Sequence, residues 1–75
     1  MDEVTIQLFR TARHVRRAKI LVASVRARVE DMRAKGQSTD RAETMLRTFE
    51  ATQRMLEEHE HHLQEELKAW QAPAR

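Results

Sequence analysis

The stretch KGQSTDRAE, residues 35–43, is the one clear interruption in a chain otherwise rich in helix-forming residues. Gly36 suits the left-handed position that follows the end of a helix. The residues able to cap the next helix are Ser38, Thr39 and Asp40. Asp40 with Glu43 has the spacing of a capping box, and Thr39 is an equally good cap. The stretch therefore predicts a sharp turn between two helices.

Apolar residues on both sides of the turn repeat at helical spacing. A first helix is predicted over about 2–35 and a second over about 40–71, with a turn at about 36–39 and a short tail at 72–75 that contains Pro73. The heptad stripe of the first helix has an a row (Leu8, Val15, Val22, Val29) and a d row (Thr11, Ala18, Val25, Met32). The second helix has an a row (Ala42, Phe49, Leu56, Leu63, Trp70), a d row (Met45, Thr52, His59, Glu66) and an e row (Leu46, Gln53, Glu60, Leu67). We expect the a and d rows to meet at the seam, with the e row flanking it.

Two long helices joined by a short connection predict an all-α fold, an antiparallel two-helix hairpin. Two helices leave apolar surface open, so we expect the hairpin to form a homodimer, as a four-helix bundle or antiparallel coiled coil. The predicted dimer or partner interface consists of Leu8, Val15, Val22, Val25, Val29, Met45, Phe49, Leu56, Leu63 and Trp70. Ile6, Phe9, Ile20 and Trp70 are further candidates for contact with an unknown protein partner.

Composition narrows the class of protein. Seventy-five residues form one small domain at most, and the absence of cysteine excludes disulfides and thiolate metal sites. No stretch resembles a signal peptide or reaches the roughly 20 apolar residues of a membrane span, which predicts a cytoplasmic protein without membrane contact. Residues 1–35 hold nine basic and four acidic residues, net +5, whereas residues 36–75 hold five and eight, net −3. Such halves can attract each other within or between chains.

The segment from residue 14 to 67 resembles a family of small uncharacterised proteins from alphaproteobacterial genomes. The likeness is clearest in HVRRAKILVASVR (14–26) and GQSTDRAETMLRTFEATQRMLEEH (36–59). The shared positions are Gly36, Thr39, Ala42, Leu46, Phe49, Glu50, Thr52, Met55 and His59. The resemblance implies a helical hairpin and a bacterial source, and it does not indicate an activity. This chain departs from the family pattern in the density of histidine and glutamate after Leu56.

The stretch LEEHEHHLQEEL, residues 56–67, concentrates the side chains that could do chemistry. A Glu-x-x-His pair at Glu58 and His61 has di-iron spacing but lies on the outer face. The better metal candidates are His59, His62, Glu66 and His14, whose ring nitrogens and carboxylate oxygens suit zinc. The alternatives are a hydrogen-bonded polar layer in a bundle, and a pH switch in which His59 and His14 gain charge on mild acidification.

A basic strip runs along the outer side of the first helix. Its members are Arg10, Arg13, Arg16 and Arg17. Such a strip can contact phosphates, which makes a small nucleic-acid-associated protein the second functional hypothesis. The alternative is that these arginines are solvated or paired with acidic residues of the second helix, such as Glu57, Glu58, Glu60 and Glu65.

Signals of catalysis are weak in this sequence. It contains no cysteine, no glycine-rich phosphate loop and no nucleophile elbow, so we expect neither an enzyme nor a cofactor. The leading hypothesis is a structural or protein-interaction module that works through helix–helix association. A metal-binding bundle is the third hypothesis.

Overall fold

The computed structural model describes residues 2–71, which form two helices and no strand. Helix α1 spans Glu3–Ala34 and helix α2 spans Asp40–Gln71. They lie side by side in opposite directions, which confirms the predicted all-α hairpin. The expected tail at 72–75 lies outside the described residues.

The backbone conformation of Gly36 ends α1. Gly36 has φ of +70°, a left-handed conformation that L side chains rarely adopt. The Gly36 N–H donates to the Arg33 carbonyl at 3.1 Å, and the Gln37 N–H donates to the Met32 carbonyl at 2.9 Å. These two bonds form a Schellman motif, which satisfies carbonyls that the helix end leaves open.

Thr39 occupies the position before α2, and its contact with Glu43 differs from the predicted capping box. The Thr39 carbonyl accepts from the Glu43 N–H at 2.8 Å, and its hydroxyl donates to the Glu43 carboxylate at 3.0 Å. The other oxygen of that carboxylate accepts from Arg33 of α1 at 2.8 Å. Glu43 therefore ties the start of α2 to the turn and to the end of α1.

Asp2 caps the start of α1. Its carboxylate accepts from the Thr5 N–H at 2.8 Å and from the Thr5 hydroxyl at 3.0 Å. These bonds lower the pKa of the Asp2 carboxyl, the backbone N–H contributing most and the hydroxyl next.

The predicted stripe of α1 is the surface that packs against α2. Its buried members are Thr11, Val15, Ala18, Val22 and Val29. Leu8, Val25 and Met32 are half-buried. The a and d rows of α1 thus face the other helix, as their four-and-three spacing predicts.

The inward face of α2 is rotated from the one that we expected. Leu63 is buried, and the half-buried apolar residues are Ala42, Leu46, Phe49, Leu56 and Leu67. Gln53 and Glu60 of the e row are also half-buried, whereas the whole d row is exposed. The prediction that His59 and Glu66 face the seam is therefore wrong for the contact between α1 and α2. The e row offers two long apolar side chains, Leu46 and Leu67, for burial against α1. The d row has only two members that are apolar or small, so burying the e row removes more apolar surface from water.

The contact between the helices is thin. Among the described residues, no side chain is less than 2% exposed. A compact monomer of this mass exposes about 4,800 Å², whereas the hairpin exposes 6227 Å². The Cα atoms extend 63 × 18 × 14 Å, so the hairpin is a rod without an enclosed interior. Neither described helix is long and apolar enough to cross a membrane.

Candidate interaction surface

One side of the hairpin carries a ladder of ion pairs between α1 and α2. The pairs are Lys19–Glu57 at 4.0 Å, Arg26–Glu50 at 3.0 Å and Arg33–Glu43 at 2.8 Å. Basic and acidic members both recur every seven residues, in opposite chain directions. We call this side the ladder flank.

The ladder specifies how the two helices align. Each pair is partly exposed and contributes little stability alone, within the range of about 0–1 kcal/mol for surface pairs. A shift of α2 by fewer than seven residues would misalign all three pairs, and a shift by one heptad would lose one of them, so the ladder favours the observed register. The sequence-based prediction considered Glu57 only as a partner for the basic strip and did not identify this ladder. The matching seven-residue spacing of Lys19, Arg26 and Arg33 with Glu43, Glu50 and Glu57 was the available signal.

The opposite side of the hairpin has no such ladder among residues 2–71. Near the turn it forms a shallow depression of about 290 Å³, lined by Ser24, Val25, Arg28, Met32, Arg41, Ala42 and Met45. Arg28 from α1 and Met45 and Arg41 from α2 therefore lie on the same side. Steps of seven residues from these positions stay on one face of each helix. That relation places Leu21 and His14 in line with Arg28, His59 in line with Met45, and Met55 and His62 in line with Arg41.

We call this side the open flank and define it by Leu21, Met45, Met55, His14, His59 and His62. All six residues are exposed. Met55 is 65% exposed, and Leu21 and Met45 are each about half exposed. Large apolar side chains thus follow the groove between the helices on the flank that lacks interhelical ion pairs. Such a row is typical of a contact surface.

The predicted metal ligands do not form a site within one hairpin. His14, His59, His62 and Glu66 are all exposed. Across residues 2–71, no group of three or more histidine, aspartate or glutamate side chains is placed to hold a metal ion. Neither His59 nor Glu66 forms a side-chain hydrogen bond with another described residue. His61 and His62 place their ring centroids 6.3 Å apart at the surface.

Most of the predicted interface residues pack within the hairpin instead of facing outward. Val15, Val22, Val29 and Leu63 are buried in the contact between α1 and α2. Leu8, Val25, Phe49 and Leu56 are half-buried there. Met45 and Trp70 are exposed, and Trp70 is 75% exposed at the far end of α2. The sequence pattern identified apolar contact positions but could not divide them between the two helices and a second chain.

The basic strip spans the outer side of α1: Arg10 and Arg17 lie at the edge of the open flank, in line with Ser24, whereas Arg13 and Arg16 lie further from it. Arg10, Arg13, Arg16 and Arg17 are exposed, and none forms an ion pair with another described residue. Of the two alternatives to phosphate contact, the exposure of these arginines fits a solvated face, and pairing with α2 does not occur among the described residues: Glu57 pairs with Lys19, and Glu65 pairs with Lys68 of its own helix. Ile6, Phe9 and Ile20 are exposed on α1, where Ile20 lines a second shallow depression with Arg17 and Leu21.

Comparison with protein family models, curated proteins and solved structures finds no significant match. The hairpin's own two flanks, one joined by ion pairs and one apolar and exposed, are therefore the basis for assigning a function.

Proposed function

We propose that this protein is a non-enzymatic interaction module that acts through helix–helix association and forms a homodimer, a four-helix bundle. The observation that carries the proposal is the contrast between the two flanks. Ion pairs hold the ladder flank together, whereas Leu21, Met45 and Met55 leave apolar surface exposed on the open flank. A second hairpin covers that surface.

The exposed area supports the same proposal. The hairpin exposes about 1,400 Å² more than a compact chain of its mass. Stable protein–protein interfaces bury about 800 Å² on each partner. The excess is therefore large enough to supply an interface of ordinary size. The two depressions described above are both shallow.

Sedimentation equilibrium over a thousand-fold concentration range tests this function. The expected result is a reversible monomer–dimer transition. Met55→Gln keeps helix propensity and length but removes an apolar contact. Burial of a methionine side chain is worth about 1.5–3 kcal/mol, so loss of two copies in the dimer weakens it by about 2–4 kcal/mol after discounting the part already covered.

Phe9→Gln is the matched control, because Phe9 is as exposed as Met55 but lies outside the open flank. It is expected to leave the dimer constant within about threefold. A monomer at every concentration would refute the proposed association. Equal weakening by both substitutions would refute its location.

A second candidate function is contact with nucleic acid through the basic strip. The observation that favours it is the absence of acidic partners for Arg10, Arg13, Arg16 and Arg17 among the described residues. A gel shift with duplex DNA and with single-stranded RNA at low and moderate salt tests it. Binding that weakens steeply with salt and is lost in Arg13→Ala, Arg16→Ala supports the role. No shift at low salt refutes it.

A further inference from the structure

We infer that the two hairpins of the dimer pack through their open flanks with both turns at the same end, so that α1 of each protomer lies against α2 of its partner. This inference rests on the proposed association and specifies its geometry. A twofold axis can bring the open flanks of two hairpins together in two arrangements. An axis parallel to the helices places α1 against the partner's α2. An axis perpendicular to them places α1 against α1 and α2 against α2, with the turns at opposite ends.

Charge distinguishes the two arrangements. Residues 4–29 of α1 contain seven lysines and arginines and no acidic residue. Residues 55–67 of α2 contain five glutamates and no lysine or arginine. The opposite-end arrangement would bring two basic α1 segments together, and like charges in contact are unfavourable. The same-end arrangement brings each basic segment against an acidic one.

The levels of these segments match in the same-end arrangement. Within the hairpin, the ladder pairs show that residue 19 of α1 lies level with residue 57 of α2. An axis parallel to the helices preserves that level between the two chains. It therefore brings Arg10 level with the partner's Glu65 and Arg17 level with the partner's Glu58, two pairs separated by one heptad on each helix.

The residues of these proposed pairs are available for a partner. Arg10, Arg17, Glu58 and Glu65 are all exposed. Arg10, Arg17 and Glu58 form no ion pair with described residues, and Glu65 contacts only Lys68 at 3.4 Å at the surface. The interface then combines an apolar strip of Leu21, Met45 and Met55 with charge pairs at its far end. Its charge pairs are spaced by seven residues on each helix, as are the ion pairs of the ladder flank.

The chain contains no cysteine, so single cysteines report distances without further engineering. Ser38→Cys places a spin label in the turn, at an exposed side chain with no hydrogen bond to a described residue. In the same-end dimer the two labels lie within about 25 Å of each other, given helix separations of 8–10 Å. In the opposite-end dimer they lie about 45–50 Å apart, the length of a helix. A mixed dimer of Ser38→Cys and Gln71→Cys chains must show the reverse pattern.

Charge exchange tests the pairing itself. Arg17→Glu and Glu58→Arg are each expected to weaken the dimer about tenfold, because every dimer holds two copies of the pair. The double variant R17E/E58R is expected to recover affinity to within about threefold of the original. Arg13→Glu makes the same change in net charge away from the open flank and is expected to shift the dimer constant less than threefold.

The outcomes separate this inference from the proposed function. A monomer at all concentrations overturns both. A dimer with a long distance between the two Ser38→Cys labels overturns the same-end geometry and leaves association standing. A short distance without recovery in the double variant overturns the pairing of Arg17 with the partner's Glu58. A short distance with recovery supports the inference in full.

Discussion

Leu63→Ala tests which face of α2 holds the hairpin together. Leu63 is 4% exposed and is the one buried hydrophobic side chain of α2. The substitution removes three carbon atoms from contact with α1. At about 0.8 kcal/mol for each buried carbon group, the transfer free energy lost is about 2.4 kcal/mol. Because the contact is only two helices thick, the space left by the substitution opens to water. We therefore add little to the free-energy loss for an empty cavity.

The assay is urea unfolding followed by circular dichroism at 222 nm. With a denaturant slope of about 1 kcal/mol/M for a small domain, a loss of about 2.4 kcal/mol lowers the midpoint by about 2 M. Ile20→Ala is the matched control, since it removes the same number of carbons from a side chain that is 68% exposed. The better helix propensity of alanine offsets part of that loss, so we expect a change within about 0.5 kcal/mol.

Both variants must be measured at two protein concentrations a hundred-fold apart, because the association that we propose would add stability that depends on concentration. At both protein concentrations, the urea midpoint of Leu63→Ala is expected to be lower than that of Ile20→Ala. Equal midpoints for the two variants would show that Leu63 does not lie in the contact between α1 and α2. The inward face of α2 would then have to be reassigned.

Two further predictions concern the turn and the first helix. Gly36→Ala should lower the free energy of unfolding by about 1 kcal/mol through backbone strain alone, because a Cβ there meets no atom within 4 Å; a larger loss by urea unfolding would indicate a clash. The Asp2 cap should favour folding above the ordinary pKa of its carboxyl and be lost as the pH falls through its lowered pKa. The protection of the Thr5 amide, measured as its exchange rate relative to the intrinsic rate at each pH, should therefore fall there in the native chain and be low at every pH in Asp2→Ala.

The sequence predicted the hairpin well because its signals are local. Gly36 requires a backbone conformation that ends a helix, and the spacing of valines in α1 fixes its inner face. Both signals depend on a few neighbouring residues. The α1 rows consequently lie where the heptad spacing predicted them.

The inner face of α2 was harder to predict because three adjacent rows compete for it. Leu56 and Leu63 lie at the boundary between the d row and the e row, so they fit either rotation of the helix. The rotation is decided by Leu46 and Leu67 together with Glu50 and Glu57, which reach basic residues across the ladder flank. Those ion pairs exist only once two helices are aligned, and a pattern within one helix does not contain them.

The same rotation explains why the histidine cluster did not assemble into a site. Turning α2 toward its e row moves His59 and Glu66 out of the contact with α1 and places Glu60 at its edge. His59 then lies in line with Met45 on the open flank, beside the apolar surface that we assign to the dimer. A substitution there should affect association more than the folding of one hairpin. His59→Gln should therefore change the dimer constant more than the same substitution at the more outward His61, and equal dimer constants for His59→Gln and His61→Gln would place the histidine row outside the interface.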